Sequence, residues 1–418
     1  MNGFSRSFGR QKADEMKKIL LLGGSPQQVI AINTAKRLGL FTVLCDYLPD
    51  NPGQYAADRF YLVSTTDKPA VLEVAKKEKI DAVLAYASDP AAPAAAYVAE
   101  QLGLPGNPWD SVEILCNKDR FRKFLRENGF DTPLEADFQD PREAVARIPN
   151  QGFRFPVILK PADSCGSKGA TVLRSWEDLS QAVDFAFSFS RGHRIVAEEF
   201  IEKSHPYLIG GDIFVVNGKV ILWGLMNCHR DEKANPLVPV GKSYPPALEP
   251  QVEQKVHKTL QALVDRLHIR TGAMNVELLV DRENRVFPID IGPRNGGNMI
   301  PDLLSLIYGV DMVEMSILGA LDQLEPRPIP EGTPFYATHN LHSRENGIYE
   351  NITFSPELEP YILKKCFYKE PGDRVEFFDN AAKALGILFL KFDSQQEMHR
   401  ILDGIEDRIH IHLRQSHG

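Results

Sequence analysis

The stretch Gly272–Pro301, GAMNVELLVDRENRVFPIDIGPRNGGNMIP, decides the fold of the chain's central part. It predicts two β-strands, roughly Ala273 to Asp281 and Arg285 to Ile291, each with apolar residues at close spacing. The polar pair Glu283-Asn284 between them predicts a tight reversal. The stretch is therefore expected to form an antiparallel hairpin.

The register of this hairpin follows by counting back from the reversal. It predicts three cross-strand pairs: Val280 with Phe287, Leu278 with Ile289, and Glu277 with Asp290. Like charges that face each other destabilise a strand pair unless an opposite charge lies between them. Since the stretch offers oxygen ligands and no Cys or His, Mg²⁺ is expected there rather than Zn²⁺. The alternative is an acidic hairpin on a solvated face.

A glycine-rich turn follows the second strand. Gly292-Pro293-Arg294 and Gly296-Gly297 place small residues where a phosphate could approach the backbone. Arg294 could hold that phosphate through its planar guanidinium.

Composition limits the possible functions. The chain has 418 residues, 25% charged and 43% hydrophobic, which predicts a soluble globular protein of two to three domains. A formal net charge of -8 gives no basic surface, so nucleic acid is not an expected partner. No apolar run approaches the roughly 18 residues that cross a bilayer, so no membrane attachment is expected. The five cysteines lack CxxC spacing, which argues against a zinc site and favours a reducing, cytoplasmic location.

The segment from Lys17 to about Leu104 alternates strands and helices, which predicts an α/β open parallel sheet with helices on both faces. Its first turn, GGSPQQ, lacks the third glycine of GxGxxG, so a dinucleotide site is the less favoured interpretation. A small substrate bound at the carboxyl ends of the strands is favoured. The polar residues at those ends are Asp46, Tyr86, Ser88 and Asp89, each of which could also be a cap or turn residue.

Two lysines precede the central hairpin. Lys118 lies in NKDRFRKFLRENG, at the second turn of a helix or at a new helix start. Lys160 ends a buried strand in FPVILKPADSCGSKGATVL, and a loop of small residues follows it. Such a loop lets backbone N–H groups surround a phosphate, although alone it is more often a hairpin turn.

The order of these features is more specific than any one of them. Lys118, then Lys160 with its glycine loop, then the strand RIVAEEFI, Asp212, and finally the acid pair with Arg294 together resemble the ATP-grasp superfamily. The resemblance covers nearly the whole chain and implies a nucleotide held between α+β subdomains.

In that superfamily, Lys118 and Lys160 would reach the phosphates of ATP. The phosphate-covering loop would run from Ser164 to Gly169, with these residues in contact: Ser164, Ser167, Lys168 and Gly169.

The resemblance also implies how adenosine is bound. The backbone carbonyl of Glu198 would accept a hydrogen bond from the adenine amino group, and the N–H of Ile201 would donate one to the ring. Asp212 would hold the ribose hydroxyls.

Glu277 and Asp290 match the Mg²⁺ (or Mn²⁺) carboxylates of the superfamily, and Arg294 and Lys160 would be its catalytic residues. Where most members have Glu-x-Asn-Pro-Arg, this chain has Asp290-Ile291-Gly292-Pro293-Arg294. Asn295 and Asn298 lie nearby, but neither is at the matching position.

Four segments are expected: a flexible tail over residues 1–15, an amino-terminal α/β domain over 16–110, an ATP-grasp domain over 111–332 with its lid at about 155–225, and a small β-rich carboxyl-terminal domain over 333–418. The last resembles that of the biotin carboxylase, glycinamide ribonucleotide synthetase and carbamoyl phosphate synthetase branch, which implies a homodimer.

The implied activity is that of an ADP-forming carbon–nitrogen ligase, which activates a small-molecule carboxylate as an acyl phosphate for attack by an amine. Two alternatives stay open: a carboxylase-type enzyme that uses bicarbonate, and a non-catalytic ATP-binding protein. A dehydrogenase is the least favoured alternative, because hydride transfer would not use the paired acids and the lysines. Arg230 and Lys242, in an expected loop over His229–Tyr244, suggest an anionic substrate unless they are merely solvated.

Overall fold

The computed structural model describes residues 16–162, 169–190 and 192–415. The chain divides into two compact units. One holds the residues up to Trp109 with the segment Val313–Leu324, and the other holds Asp110–Met312 with the residues from Glu325 onward. The predicted tail over residues 1–15 lies outside the described residues.

Between residues 16 and 109, the first unit contains four strands and four helices: β1 Lys18–Leu22, α1 Val29–Arg37, β2 Phe41–Asp46, α2 Gly53–Ala56, β3 Arg59–Leu62, α3 Lys68–Glu78, β4 Ala82–Leu84 and α4 Ala92–Leu102. The strands pair in parallel in the order β3-β2-β1-β4. Ile19 and Leu21 of β1 are buried and pack against Val313 and Ile317 of the returning segment. The predicted open parallel sheet is confirmed, and its apolar strands are buried because helices cover both faces.

The second unit opens with a small antiparallel sheet and its helices: α5 Trp109–Cys116, α6 Lys118–Glu127, β5 Glu135–Phe138, α7 Pro141–Arg147, β6 Val157–Pro161, β7 Thr171–Leu173, α8 Leu179–Ser188 and β8 Ile195–Glu199. The strand order is β5-β8-β6-β7. The segment predicted as helical after Trp109 forms two helices. Lys118 begins the second, because the Asn117 side chain accepts a hydrogen bond from the Arg120 N–H (3.0 Å) and caps it.

An eight-stranded antiparallel sheet forms the rest of this unit, together with a three-stranded sheet. The remaining elements are β9 Leu208–Val216, β10 Lys219–Asp231, β11 Asn235–Tyr244, α9 Pro250–Arg266, β12 Gly272–Val280, β13 Val286–Gly292, α10 Ile300–Tyr308, α11 Met312–Ala320, β14 Tyr336–Leu341, β15 Gly347–Phe354, β16 Ile362–Phe367, β17 Arg374–Val375, β18 Gly386–Lys391, α12 Gln395–Leu402 and β19 Ile409–Arg414. Of these, α11 belongs to the first unit from Val313 onward. The large sheet has the order β13-β12-β9-β10-β11-β14-β18-β16, and the small one β17-β15-β19. The strands after residue 333 thus continue the sheet that carries the central hairpin.

Two turns of the large sheet differ in how well the sequence predicts them. Asn217-Gly218 joins β9 and β10 with φ of 50° and 76°, and an Asn-Gly pair is a strong signal for such a hairpin turn. The expectation of a loop over His229–Tyr244 is wrong, because these residues belong to the hairpin of β10 and β11.

The two faces of the large sheet have different surroundings. Val256 and Leu260 of α9 pack with Ile213 and Met274 on one face. Asp212 pairs with Asn275, and Glu277 pairs with Asp290, on alternate positions that point the other way. We call this second face the carboxylate face.

No single helix within the described ranges is long and apolar enough to cross a membrane. Two consecutive short helices, α10 and α11, reach the required length and composition only when they are counted together across a break.

Candidate active site

Glu277 and Asp290 lie directly opposite each other, as the sequence predicts. The pairs nearer the turn differ from the predicted register: Val280 faces Val286 and Leu278 faces Pro288. A β-bulge between Glu277 and Leu278 takes up one extra residue on β13 and brings Asp290 back opposite Glu277. The acid pair is therefore positioned by a bulge and not by an uninterrupted ladder.

The environment of the two acids is unequal. The Glu277 side chain is 26% exposed, and its Oε1 lies 3.5 Å from Nη2 of Arg230, while Asp290 is exposed. Arg230 supplies part of the opposite charge that this pair requires. Among the described residues, no group of three or more His, Cys, Asp or Glu side chains could hold a metal ion. A cation bound here would complete its shell with oxygens from another molecule.

The two predicted phosphate lysines differ in their contacts. Lys118 is exposed at the start of α6. Lys160, at 38% side-chain exposure, places its amine 2.7 Å from Oε2 of Glu198. Glu198 also lies 3.9 Å from the guanidinium of Arg122. The Lys160 amine is thus held at the surface by an acid that a phosphate could replace as its partner.

The predicted adenine residues lie at the end of β8. Glu198 is within the strand, opposite Glu135 on one side and Ile158 on the other. Phe200 and Ile201 come directly after the strand, where the chain leaves the sheet.

Only part of the predicted phosphate loop can be described. Ser164, Ser167 and Lys168 lie outside the described residues. Gly169 has φ of +78°, and a Cβ atom there would lie 2.7 Å from Cβ of Phe189. Glycine is therefore required at the loop's end by both conformation and space.

Asp212, predicted to hold the ribose, has no exposed surface. Its Oδ1 accepts a hydrogen bond from Nδ2 of Asn275 (2.8 Å), and its Oδ2 accepts one from the N–H of Gly296 (2.8 Å). Burial raises the pKa of this carboxyl to about 6, against the opposing effect of those hydrogen bonds and of the cations Arg294 and Lys242. In this conformation, Asp212 binds the chain itself and does not face a ligand.

Arg294 begins the glycine loop after β13. Its backbone N–H donates to the Gly292 carbonyl (2.9 Å), and its Nη1 donates to the Asn295 carbonyl (2.9 Å). Further along, Asn298 and Met299 adopt φ of 52° and 54°. Asparagine tolerates this left-handed conformation, whereas it is unfavourable for Met299. The loop is thus closed on itself and locally strained.

Sequence reasoning left Arg230 and Lys242 as possible solvated loop charges, but both are largely buried. The Arg230 side chain is 14% exposed, and Lys242 is 6% exposed with its amine 2.7 Å from Sγ of Cys228. A strict alternation of polar and apolar residues over β10 and β11 would have revealed the hairpin, but charged residues on both of its strands hide the pattern.

A cavity of about 400 Å³ adjoins Arg230, the residue that contacts Glu277. Arg230, His229 and His339 line it, with Glu406 and Asp403 at another part of its wall. His339 is buried, and burial keeps the pKa of its imidazole well below the usual value, so the ring is neutral. The cavity therefore offers neutral imidazoles, the guanidinium of Arg230, the ammonium of Lys203 and carboxylates to a small polar molecule.

The acid at the end of β2, Asp46, is also hydrogen-bonded to its own chain. Asp46 is buried, and its carboxylate accepts hydrogen bonds from the N–H groups of Gly24 (2.6 Å) and Leu48 (2.8 Å). This agrees with the interpretation of Asp46 as a turn residue.

His229 is expected to weaken the fold in acid. Burial, together with the positive charges of Lys242 and Arg230, lowers the pKa of its imidazole from 6.5 to about 4. Because the folded state favours the neutral ring, its contribution is complete above pH 6.5 and is lost as the pH falls towards 4. Urea unfolding should show a loss on the order of 2 kcal/mol over this window. The variant His229→Gln, which cannot titrate at this position, should lose less free energy of unfolding over the same window. An equal loss in both proteins would contradict the expectation.

The fold and the site together define a class. An open parallel sheet, a small antiparallel sheet and a large antiparallel sheet form a mixed α/β fold that matches ATP-grasp fold neighbours. Residues 117–323 match the family described as "Carbamoyl-phosphate synthase L chain, ATP binding domain". This segment is an ATP-grasp domain, and members of the ATP-grasp ligase family activate a carboxylate or bicarbonate with ATP and pass it to an amine.

Comparison with individual proteins agrees with this assignment. The carbamoyl phosphate synthase large chain of Thermotoga maritima is 24% identical over 387 residues, which cover 86% of this chain and 34% of that protein. The chain thus spans about a third of that relative's length.

Solved structures show the same fold over nearly the whole chain. Phosphoribosylglycinamide synthetase from Anaerococcus prevotii has a TM-score of 0.77 at 20% identity, covering 96% of this chain and 100% of that one. L-amino acid ligase from Bacillus licheniformis has a TM-score of 0.76 at 20% identity, covering 96% and 99%. The 2-oxoglutarate carboxylase biotin carboxylase domain dimer from Hydrogenobacter thermophilus, in complex with MgADP and bicarbonate, has a TM-score of 0.71 at 16% identity, covering 96% and 91%.

Proposed function

We propose that this chain is an ATP-dependent ligase that joins a small-molecule carboxylate to an amine and releases ADP and phosphate. The observation that carries the proposal is the direct pairing of Glu277 with Asp290, four residues before Arg294. A carboxylate is a poor electrophile at neutral pH, so it must be activated before an amine can attack it.

The donor set of the acid pair fits Mg²⁺, because paired residues offer only carboxylate oxygens on one face. Glu277 and Asp290 would hold the ion. When bound, Mg²⁺ offsets the negative charge of the triphosphate. Arg230 keeps Glu277 oriented at 3.5 Å, so this carboxylate is positioned before a ligand arrives.

The chain's cations would bind the phosphates. Lys160 exchanges its contact with Glu198 for a phosphate oxygen, and Lys118 approaches from the exposed start of α6. Both stabilise the charge that moves with the γ-phosphoryl group, a task of position and electrostatics. Ser164, Ser167, Lys168 and Gly169 would cover the phosphates, while Glu198 and Ile201 would bind adenine through the backbone.

The reaction has two steps. An oxygen of the substrate carboxylate attacks the γ-phosphorus, and the bond from phosphorus to the ADP oxygen breaks. The amine then attacks the carbonyl carbon of the acyl phosphate, phosphate leaves, and the nitrogen loses a proton. Arg294 would stabilise the negative charge that develops on the acyl phosphate and on the tetrahedral intermediate.

The cavity of about 400 Å³ beside Arg230 is where we place the second substrate. Its combination of a guanidinium, neutral imidazoles and carboxylates suits a molecule that carries both an amine and an acid group. Homodimerisation is part of the proposal, and the biotin carboxylase domain of Hydrogenobacter thermophilus, which forms a dimer, supports it.

The test is a screen of carboxylates and amines in pairs, with ADP release as the readout. We expect one pair to stimulate release at least about tenfold over ATP alone, and chelation of Mg²⁺ by EDTA to abolish it. Release that needs bicarbonate and no organic acid would instead support the carboxylase-type alternative. Tight MgADP binding without stimulation by any pair would support a nucleotide-binding protein, and no MgADP binding by calorimetry would overturn the proposal.

A further inference from the structure

Asp212 is a buried acid that the proposed chemistry does not use. It lies on β9, where it pairs with Gly224 of β10 and with Asn275 of β12. It therefore lies on the carboxylate face. Its partner Asn275 is two residues before Glu277 on β12, so both point to the same side of the sheet.

Both oxygens of this carboxylate are occupied by the chain. The Asn275 amide and the Gly296 N–H each donate to it at 2.8 Å, and the same amide also donates to the Gly211 carbonyl (3.0 Å). Three segments that are distant in sequence thus meet at one side chain: β9, β12 and the loop after β13.

The loop is packed directly on the carboxylate. A Cβ atom added at Gly296 would lie 2.7 Å from Oδ1 of Asp212 and 2.8 Å from Nδ2 of Asn275. On the neighbouring strand, a Cβ atom at Gly224 would meet Leu304 of α10 at 2.6 Å. No space remains for a ribose hydroxyl between Asp212 and its partners.

The loop needs an anchor. Met299, which follows Gly296 by three residues, adopts a left-handed φ value that costs free energy. Such a conformation persists where the surrounding structure fixes it. A charged acceptor gives a stronger hydrogen bond to a backbone N–H than a neutral one does.

We propose that Asp212 is a positioning residue, which fixes the loop that carries Arg294 and does not contact the nucleotide. Burial raises the pKa of its carboxyl to about 6, which agrees with a side chain that is enclosed beneath the loop. This inference rests on the proposed function only in taking Arg294 as an active-site residue.

The experiment compares Asp212→Asn with the wild type by hydrogen exchange of peptides that cover residues 293–299. An amide cannot accept from both donors as a carboxylate does, so we expect exchange there to accelerate at least about tenfold. The affinity for MgADP should stay within about twofold. With a stimulating substrate pair, kcat should fall at least about tenfold while KM for ATP is little changed.

Two further variants keep the test decisive. Gly296→Ala leaves the carboxylate in place but pushes the loop away from it, so it should reproduce the faster exchange even if Asp212→Asn folds poorly. Asp265→Asn, at an exposed acid of α9, is the matched control. It should leave the exchange of residues 293–299, the MgADP affinity and kcat as in the wild type.

Comparison of ADP with 2′-deoxy-ADP separates the alternatives. If Asp212 bound the ribose, Asp212→Asn would weaken ADP at least about tenfold and leave 2′-deoxy-ADP unaffected, which would overturn the inference. Unchanged exchange at residues 293–299 in both variants would overturn it as well. Failure of the wild type to bind MgADP would count against the proposed function alone, because the exchange experiment needs no nucleotide.

Discussion

Replacing Glu277 with Gln and Asp290 with Asn together is expected to lower ATP turnover at least about a hundredfold, since several kcal/mol of charge stabilisation are lost. The amides keep the size of both side chains, so the strand pairing and the bulge beside Glu277 should persist. The measurement is steady-state ADP release at several Mg²⁺ concentrations. The apparent Mg²⁺ requirement should rise in the variant, because neutral oxygens hold a hard cation less well than carboxylates do.

Glu283→Gln is the matched control for this prediction. Glu283 lies at the turn of the same hairpin, its side chain is 69% exposed, and its carboxylate pairs with Arg285 at 3.2 Å. The control should keep turnover within about twofold, since exposed ion pairs contribute little. If the double variant kept wild-type turnover and Mg²⁺ dependence, the carboxylate pair would not be the metal site.

The pairing of these acids shows what local sequence patterns can predict. Two strands of the right length and a polar turn suffice to predict the hairpin, and the pairing of Glu277 with Asp290 was predicted correctly. The intervening pairs were predicted wrongly, because counting assumed an uninterrupted ladder. The signal for the bulge is Pro288, which cannot donate to a ladder and directly precedes the extra residue Ile289.

The tertiary roles of buried acids were beyond sequence reasoning. Asp212 accepts a hydrogen bond from the N–H of Gly296, which is 84 residues away in the sequence. Asp231 accepts one from Arg344, which is 113 residues away. No periodicity in the sequence encodes such distances. The resemblance to the superfamily supplied a ribose-binding role for Asp212, whereas the structure places this side chain against the glycine loop. The order of motifs predicts the fold, whereas the contacts of Asp212 depend on segments that meet only in the folded chain.

The charged hairpin of β10 and β11 was missed for a related reason. Its buried charges pair with groups outside the hairpin, as Arg230 does with Glu277 and Asp231 with Arg344. In a sequence, such residues look like those of a solvated loop. Their burial becomes evident only when the sheet is assembled.

Replacing Asp231 with Asn is expected to destabilise the second unit by about 3 kcal/mol at pH 7. Asp231 is 4% exposed. Its carboxylate accepts two hydrogen bonds from Arg344 (2.7 and 2.9 Å) and one from Nε2 of His342 (3.0 Å). These contacts join the end of β10 to the residues after β14. Removing the charge leaves Arg344 without its buried partner, and the cost stays moderate because that side chain is 35% exposed.

The pH dependence of this effect has a definite sign. Burial alone would raise the pKa of Asp231, but hydrogen bonds from Arg344 and His342 outweigh it and hold the pKa well below the usual 3.8. The stabilisation is therefore complete above pH 3.8 and is lost as the pH falls below it. Urea unfolding should show a gap between wild type and variant that is constant near neutrality and narrows in acid.

Asp379→Asn tests whether the effect depends on burial. Asp379 is 51% exposed and pairs with Lys383 at 2.9 Å, so the variant should unfold in urea almost as the wild type does. Arg344→Met, combined with Asp231→Asn, completes a double-mutant cycle whose coupling should be about 2 kcal/mol. A coupling near zero would mean that the two side chains stabilise the protein independently. The strands after residue 333 would then depend on backbone pairing between β11 and β14, and not on this ion pair, for their attachment to the sheet that carries the acid pair.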